Sequence, residues 1–301
     1  MPISVKQPAP RRPAAARWGL TIAAALAALA SPSWLLAAAP PRVPRGGPQI
    51  EFETTSAFSR IRVRRQAGVR TLIFVRDNGE EAEQSIVNTK RPYELLDPYA
   101  RYMFTSYLFQ PQPEQVLIIG LGGGAMVHFL QHYEPQVRVD VVEIDPAVVK
   151  IAAEYFECRS GGNVRITTDD GGKYLETSET QYDVIYLDAF LKPTAETDEV
   201  GAPLRMKTGE FYAMLQRRLK PEGVVVFNLN QHQATAADLA AIRNAFAQVY
   251  VFRPITANYV AVATMTAARV PSPALRTKAR ELDSRFHATF SFSDLVKHVL
   301  P

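Results

Sequence analysis

The stretch V-L-I-I-G-L-G-G-G-A, residues 116–125, constrains the fold more than any other part of the chain. Its first four residues are apolar and rich in Ile and Val, which predicts a buried strand. The glycines that follow predict a sharp turn into a helix starting at Ala125. Because glycine has no Cβ, a ligand can approach the backbone there, and the helix start offers unpaired N–H groups. The stretch therefore predicts a ligand site.

An acidic residue at the end of the next predicted strand indicates what the ligand contains. The segment R-V-D-V-V-E-I-D, residues 138–145, predicts a strand that ends in carboxylates. Glu143 lies 23 residues after Gly120, which is the spacing at which a strand-tip acid can hold both hydroxyls of a ribose. A tight turn without a ligand is the alternative for the glycines alone. The strand, the glycines, the helix and the acid in this order favour a nucleoside-bearing ligand.

The rest of the chain predicts an α/β fold with a small β domain in front. Residues 50–88 are β-like, with predicted strands at 59–65, 69–75 and 83–87 and a hairpin between the first two. Residues 93–109 predict a helix. Strands and helices alternate after residue 115, which predicts a parallel, Rossmann-like sheet with helices on both faces. Strands at 249–254 and 259–265 are predicted to close the sheet antiparallel, before one or two helices in 271–301.

The predicted domain boundaries follow from this order. Residues 1–39 form a leader, 40–49 a linker, 50–92 the N-terminal β domain, 93–267 the Rossmann-like catalytic domain, and 268–301 a helical extension. Length and composition agree, since 301 residues with 47% hydrophobic and 21% charged side chains suit a globular chain. The single cysteine, Cys158, excludes an internal disulfide.

The leader predicts export. It has a basic start, an uncharged run over residues 18–41, and small residues at 37–39 that suit a signal peptidase. A retained membrane anchor at 18–39 and an organelle transit peptide are the alternatives. The protein is then periplasmic or otherwise extracytoplasmic, or held at a membrane, and cytoplasmic if the leader is unused. The leader also holds the whole net charge of +4. The remainder is neutral, so no nucleic-acid partner is predicted.

Three acids fall at the carboxyl ends of predicted parallel strands, where ligands of such sheets bind. They are Glu143, Asp170 and Asp188, and we expect them to share one cleft above Gly122. A carboxylate such as Asp188 can bind an alkyl ammonium, accept its proton and steer the nitrogen lone pair toward an electrophile. The alternative for a strand-end acid is a helix cap or a loop hydrogen-bond acceptor.

Residues 56–265 resemble the spermidine synthase (polyamine aminopropyltransferase) family, whose members have the class I S-adenosylmethionine-dependent methyltransferase fold after a small β domain. The matching segments are V-L-I-I-G-L-G-G-G at 116–124, V-E-I-D-P at 142–146, D-D-G at 169–171, Y-D-V-I-Y-L-D at 182–188 and G-E-F-Y at 209–212. The resemblance implies a small-molecule amine substrate, S-adenosylmethionine or its decarboxylated form as co-substrate, no metal, and a homodimer.

The resemblance also implies roles for individual residues. Asp188 is the catalytic carboxylate, and Tyr99 corresponds to a tyrosine on the substrate side. The nucleoside contacts are implied for Gln84, the glycine turn (Gly120, Gly122 and Gly124), Glu143 at the ribose, and Asp170 with Gly171 at the adenine amine.

Three departures from the family pattern concern specificity. Where the family reads G-G-G-D-G, with an aspartate that binds the amine of decarboxylated S-adenosylmethionine, this chain has Gly123. The second aspartate of the family's D-S-x-D-P is absent, and Lys192 is near. Asn228 replaces a glutamine. We therefore expect nucleoside binding with weakened polyamine specificity.

These observations leave three functions open. The first is aminopropyl transfer from decarboxylated S-adenosylmethionine to an amine, with Asp188 as the base. The second is methyl transfer from ordinary S-adenosylmethionine. The third is a non-catalytic nucleoside or polyamine binder, which the export signal favours.

Overall fold

The computed structural model describes residues 47–254, 256 and 258–300. The predicted leader, residues 1–39, and the predicted linker as far as residue 46 lie outside these described residues. No helix within the described ranges combines the length and the apolar character that a bilayer crossing requires.

A four-stranded antiparallel sheet comes first in the chain. Its strands run in sequence order: β1 (Gln49–Thr55), β2 (Arg60–Gln66), β3 (Val69–Val75) and β4 (Glu81–Asn88). One face is an ion-pair ladder in which arginines of β2 bind glutamates of β1 and β4. The other face buries residues such as Ile61, Val63 and Leu72 in the main core. The sequence predicted three of these strands, whereas β1 lies in the segment predicted as β-like without a strand of its own.

The main sheet has seven strands: β5 (Gln115–Ile119), β6 (Arg138–Glu143), β7 (Val164–Thr168), β8 (Tyr182–Leu187), β9 (Leu219–Asn230), β10 (Gln248–Phe252) and β11 (Asn258–Thr264). Their order is β10-β11-β9-β8-β5-β6-β7. Strands β5 to β9 pair in parallel, whereas β11 pairs antiparallel with β9 and β10. The prediction of a parallel sheet that ends in two antiparallel strands is confirmed.

Helices cover both faces of this sheet. They are α1 (Pro98–Met103), α2 (Ala125–Tyr133), α3 (Pro146–Tyr155), α4 (Gly171–Thr177), α5 (Gly209–Arg217), α6 (Thr235–Ala245), α7 (Ser272–Phe286) and α8 (Phe292–Leu295). Apolar side chains of α1, α2, α3 and α7 belong to one core cluster, and those of α4, α5 and α6 to a second. The two clusters take alternate residues of the central strands, as a sheet buried on both faces requires.

The helix predicted over residues 93–109 is shorter in the structure. Helix α1 begins at Pro98 and continues after Met103 as a 3₁₀ turn, Phe104–Leu108. Asp97 caps it, because its Oδ1 accepts a hydrogen bond from Tyr99 N–H at 3.4 Å, and a residue before proline is disfavoured in helical geometry. The sequence pattern extended the predicted helix back to Tyr93, which precedes this cap.

Candidate active site

The carboxyl ends of β5, β6, β8 and β9 border one cleft, with β4 of the small sheet on its other side. Its empty volume is about 970 Å³, including the part open to solvent. Most of the predicted site residues line it: Gln84, Tyr99, Gly120, Gly122, Glu143, Gly171 and Asp188. The strand-end acids predicted a ligand cleft at the carboxyl edge of the sheet, and the cavity lies at this edge.

Gly120 makes the close approach of two strand ends feasible. Its φ is +100°, and a Cβ there would lie 2.1 Å from the carbonyl oxygen of Asp188. No side chain fits at that distance. The bare backbone lets the ends of β5 and β8 meet, which brings Asp188 beside the glycine turn.

Glu143 is held rigidly at the tip of β6. Its Oε2 accepts a hydrogen bond from Leu121 N–H at 2.8 Å, and its Oε1 accepts one from Asp145 N–H at 2.9 Å. Burial raises the pKa of Glu143, and these backbone donors oppose the rise. Each carboxylate oxygen keeps a second lone pair, so the side chain can still accept hydrogen bonds from a ribose diol.

Asp170 and Gly124 do not line the cleft. Asp170 caps α4 through hydrogen bonds that its Oδ1 accepts from Gly172 N–H at 2.9 Å and Lys173 N–H at 3.1 Å. Its Oδ2 pairs with Arg205, which does line the cleft. Gly124 precedes α2 with φ +75°, and a Cβ there would lie 2.4 Å from Cys158 Sγ. The structure thus brings together two of the three predicted acids and places the third at the rim.

Asp188 receives hydrogen bonds from two neutral donors. Tyr99 Oη donates to Oδ2 at 3.1 Å and Asn228 Nδ2 donates to Oδ1 at 2.8 Å. Burial raises the pKa of Asp188, while these two donors lower it. Burial also raises the pKa of Tyr99, so the phenol stays protonated and remains a donor. A carboxylate of raised basicity facing a cleft is suited to accept a proton.

The orientation of Asn228 is set from a neighbouring strand. Asn258 on β11 donates through Nδ2 to Asn228 Oδ1 at 2.9 Å. That contact leaves the Asn228 amide NH₂ directed at Asp188. Sequence analysis noted Asn228 only as a departure and missed Asn258, because the pairing of β11 with β9 that joins them is a long-range contact.

A side chain at Gly123 would be tightly packed against its neighbours. A Cβ at Gly123 would lie 3.0 Å from Cδ1 of Phe156 and 3.0 Å from Cβ of Ser85. Ser85 Oγ also accepts a hydrogen bond from Gly123 N–H at 2.9 Å. Ser85, which sequence analysis missed, therefore occupies the space that an acid at position 123 would need.

We expect Gly123→Ala to lower the free energy of unfolding by about 1–3 kcal/mol, the usual cost of overpacking a filled site. The cost comes from packing, since Gly123 is not among the residues with positive φ. Urea unfolding measures it. Adding Phe156→Leu should recover part of the loss, and no recovery would contradict the steric explanation.

Asp97 is a further cleft residue that the sequence did not reveal. Burial, together with the charges of Asp188 and Glu83, raises the pKa of Asp97 from 3.8 to about 6, although the hydrogen bond from Tyr99 N–H and the charge of Arg101 oppose the rise. Among the described residues, no Lys or Arg nitrogen lies within 4.0 Å of its carboxylate. Asp97 is thus a carboxylate whose charge is costly in the folded chain.

Asp97→Asn should stabilise the fold in a pH-dependent way. Well below pH 3.8 the carboxyl is protonated in the folded and the unfolded chain, so its ionisation contributes no difference in stability. From pH 3.8 to about 6 the unfolded chain releases the proton while the folded chain keeps it, so the wild type loses stability that the amide keeps, and above about pH 6 the loss is constant. A rise in pKa from 3.8 to about 6 corresponds to about 2–3 kcal/mol at pH 7.5. Urea unfolding at pH 4.5 and 7.5 checks this, and a pH-independent difference would contradict it.

The segment between β8 and α5, predicted as a loop over the site, is held at several points. Leu191 and Pro203 line the cleft. Lys207 Nζ contacts Oδ2 of Asp198 at 2.6 Å and of Asp238 at 2.5 Å, with His232 Nε2 at 3.5 Å. The ammonium therefore fills the space between three groups that could otherwise ligate a metal. Lys192 binds Asp77 at 2.6 Å and does not line the cleft.

A parallel sheet closed by an antiparallel pair, with a glycine turn and strand-tip acids at one edge, defines an α/β protein of the nucleoside-binding class. Residues 99–270 match the family model described as the spermine/spermidine synthase domain. The polyamine aminopropyltransferase of Vibrio vulnificus is 30% identical over 244 residues, which cover 79% of each protein. The chain belongs to the spermine/spermidine synthase family.

Solved structures share this fold. A spermidine synthase in complex with the transition-state analogue AdoDATO matches with a TM-score of 0.64 and 18% identity, over 84% of this chain and 85% of that one. Human methyltransferase-like protein 13 in complex with SAH matches with a TM-score of 0.59 and 23% identity, over 65% and 95%. The predicted fold class, a methyltransferase-like sheet after a small antiparallel sheet, is confirmed.

Proposed function

We propose that this protein transfers an aminopropyl group from decarboxylated S-adenosylmethionine to an amine, with Asp188 as the base. One observation supports this most strongly: the Asp188 carboxylate lines the cleft next to the glycine turn, and the donors that bind it among the described residues, Tyr99 and Asn228, are neutral. An ammonium can therefore approach it without competing with a resident cation.

The cleft residues fit the co-substrate. Glu143 offers carboxylate oxygens to a ribose, and the turn at Gly120 and Gly122 has no side chains to exclude an adenosine. When bound, the sulfonium supplies an electrophilic carbon, so that a C–N bond can form as the C–S bond breaks and 5′-methylthioadenosine leaves.

Asp188 and its partners supply the remaining chemistry. An alkyl amine is mostly protonated near neutral pH, so Asp188 must bind the ammonium and take one proton before the nitrogen can attack. Tyr99 and Asn228 fix both carboxylate oxygens, which directs the free lone pairs toward the cleft. This alignment of base and nucleophile is the main contribution that an enzyme can make when the carbon is already activated.

Product analysis tests the proposal. The purified protein is incubated with decarboxylated S-adenosylmethionine and a set of mono- and diamines, and in parallel with S-adenosylmethionine. We expect 5′-methylthioadenosine with the first co-substrate and an amine. S-adenosylhomocysteine from the second would establish methyl transfer instead, and binding without either product would establish a binder.

We also propose that residues 1–39 direct export, with attachment to a membrane through residues 18–39 as the alternative, and that the protein acts as a homodimer. The basic start and uncharged run of the leader support the first point. Sequencing the mature N-terminus after expression tests it, and uncleaved cytosolic protein would contradict it. Sedimentation of the purified protein tests the dimer.

A further inference from the structure

A smaller cavity branches from the cleft underneath the glycine turn. It shares six lining residues with the cleft: Ser85, Asp97, Tyr99, Gly120, Leu121 and Asp188. Its other walls are apolar, from residues of β4, β5, α1 and α2 such as Ile118 and Met126. A short hydrocarbon chain that ends in one polar group matches these walls, and Asp97 and Asp188 are the acids that border the cavity.

Among the acids that line the small cavity or the adjoining cleft wall, Asp97 has the weakest set of partners for its negative charge. Glu83 also lines the cleft, but Arg64 pairs with it. Asp188 has the two donors already described. The Oδ1 of Asp97 accepts one long hydrogen bond, at 3.4 Å from Tyr99 N–H, and no hydrogen bond to its Oδ2 occurs within the described ranges. Because a partly buried charge is stabilised when it is paired, this half-buried carboxylate is suited to bind a ligand cation.

We propose that Asp97 binds the terminal ammonium of the aminopropyl arm of decarboxylated S-adenosylmethionine. This assignment rests on the proposed function and deepens it. It gives the arm an acid at the N-terminal cap of α1, whereas the turn itself carries none, since position 123 is a glycine packed closely against Phe156 and Ser85. The same charge repels the carboxylate of ordinary S-adenosylmethionine, so Asp97 becomes the residue that selects the co-substrate.

The position of the cavity favours the co-substrate over the acceptor amine. The cavity lies against Gly120 and Leu121 of the glycine turn and against Ala125 at the start of α2. Leu191 and Asn230, which line the cleft, do not border it. Because Asp97 lines both cavities beside this turn, an arm attached to a nucleoside at the turn can reach its carboxylate.

Calorimetry with three ligands tests the assignment: decarboxylated S-adenosylmethionine, S-adenosylmethionine, and 5′-methylthioadenosine, which has no arm ammonium. In Asp97→Asn we expect the affinity for the decarboxylated ligand to fall about 10- to 100-fold, the range for a lost hydrogen bond to a charged group. Affinity for 5′-methylthioadenosine should change less than about twofold, and the preference over S-adenosylmethionine should collapse.

Asp77→Asn is the matched control, because it removes the same charge from an exposed turn whose partner, Lys192, lies outside the cleft lining. It should leave all three affinities unchanged. Asp97→Ser is a second variant that removes the charge, since serine also caps a helix, and it should weaken the same ligand selectively. Equal weakening of all three ligands would overturn the assignment. So would unchanged affinity for the decarboxylated ligand with a raised KM for a diamine, which would place the acceptor at Asp97.

The two proposals fail separately. A wild-type protein that makes no 5′-methylthioadenosine from any amine contradicts the proposed function. A wild-type protein that makes it, together with an Asp97→Asn variant that binds the decarboxylated ligand as tightly as the wild type, contradicts only the assignment of Asp97.

Discussion

Asp188→Asn should lower kcat/KM for aminopropyl transfer by about 10²- to 10⁴-fold, the usual contribution of a positioned base. The amide keeps the size of the side chain and cannot accept the ammonium proton. Since the nucleoside contacts lie elsewhere, affinity for 5′-methylthioadenosine should stay within about threefold of wild type. Steady-state kinetics and calorimetry on the same preparations measure both quantities.

The pH profile gives a second readout for Asp188. Burial raises the pKa of Asp188, so in the wild type kcat/KM should fall as pH drops through that raised value. With the co-substrate saturating, so that protonation of Asp97 does not limit its binding, the acid limb that belongs to Asp188 should be absent from the residual activity of the variant. Asp169→Asn is the matched control, because Asp169 follows the parallel strand β7 but does not line the cleft. An Asp188→Asn variant with near-normal turnover would refute the role of this carboxylate.

Gly120→Ala should be the most damaging substitution for the fold. The added Cβ would lie 2.1 Å from the Asp188 carbonyl oxygen, on a residue with φ +100°. Both the contact and the backbone conformation are unfavourable, so we expect a loss of about 3 kcal/mol or more in the free energy of unfolding. Relief of the contact requires β5 and β8 to separate at their ends, so any folded fraction should also bind nucleoside poorly.

Gly209→Ala is the control for this substitution. Gly209 begins α5, and a Cβ there has no neighbour within 4 Å. Alanine is the better helix former, so this variant should be neutral or more stable by up to about 1 kcal/mol. Thermal unfolding of both variants under identical conditions provides the comparison. Equal stability of Gly120→Ala and wild type would mean that the strand ends are not in contact in solution.

The sequence predicted the parts of this protein that depend on residues adjacent in the chain. The strand, glycine turn and helix around Gly120 are adjacent in the chain, and each has a residue pattern of its own. Strand-end acids such as Glu143 and Asp188 were found because parallel strands bring their carboxyl ends to one edge of a sheet. The same argument did not separate Asp170, which caps a helix, from a residue that lines the cleft.

Residues that reach the cleft through long-range contacts were not predictable in this way. Ser85 contacts Gly123 only because the small sheet packs on the glycine turn. Asp97 reads in sequence as part of an amphipathic segment, and the signal that was overlooked is its position directly before Pro98, which is typical of a helix cap. Strand β1 was missed because its residues do not alternate clearly between buried and exposed.

The antiparallel pairing of β11 has a consequence for how the enzyme matures during synthesis. The elements that surround the nucleoside, β5, β6 and β8, leave the ribosome well before Asn258, which orients Asn228 toward Asp188. The residue that orients Asn228 toward Asp188 is therefore added to the chain after the strands that border the cleft. On the proposed function, the base is aligned only after Asn258 has been synthesised, which makes this alignment one of the last steps in building the site.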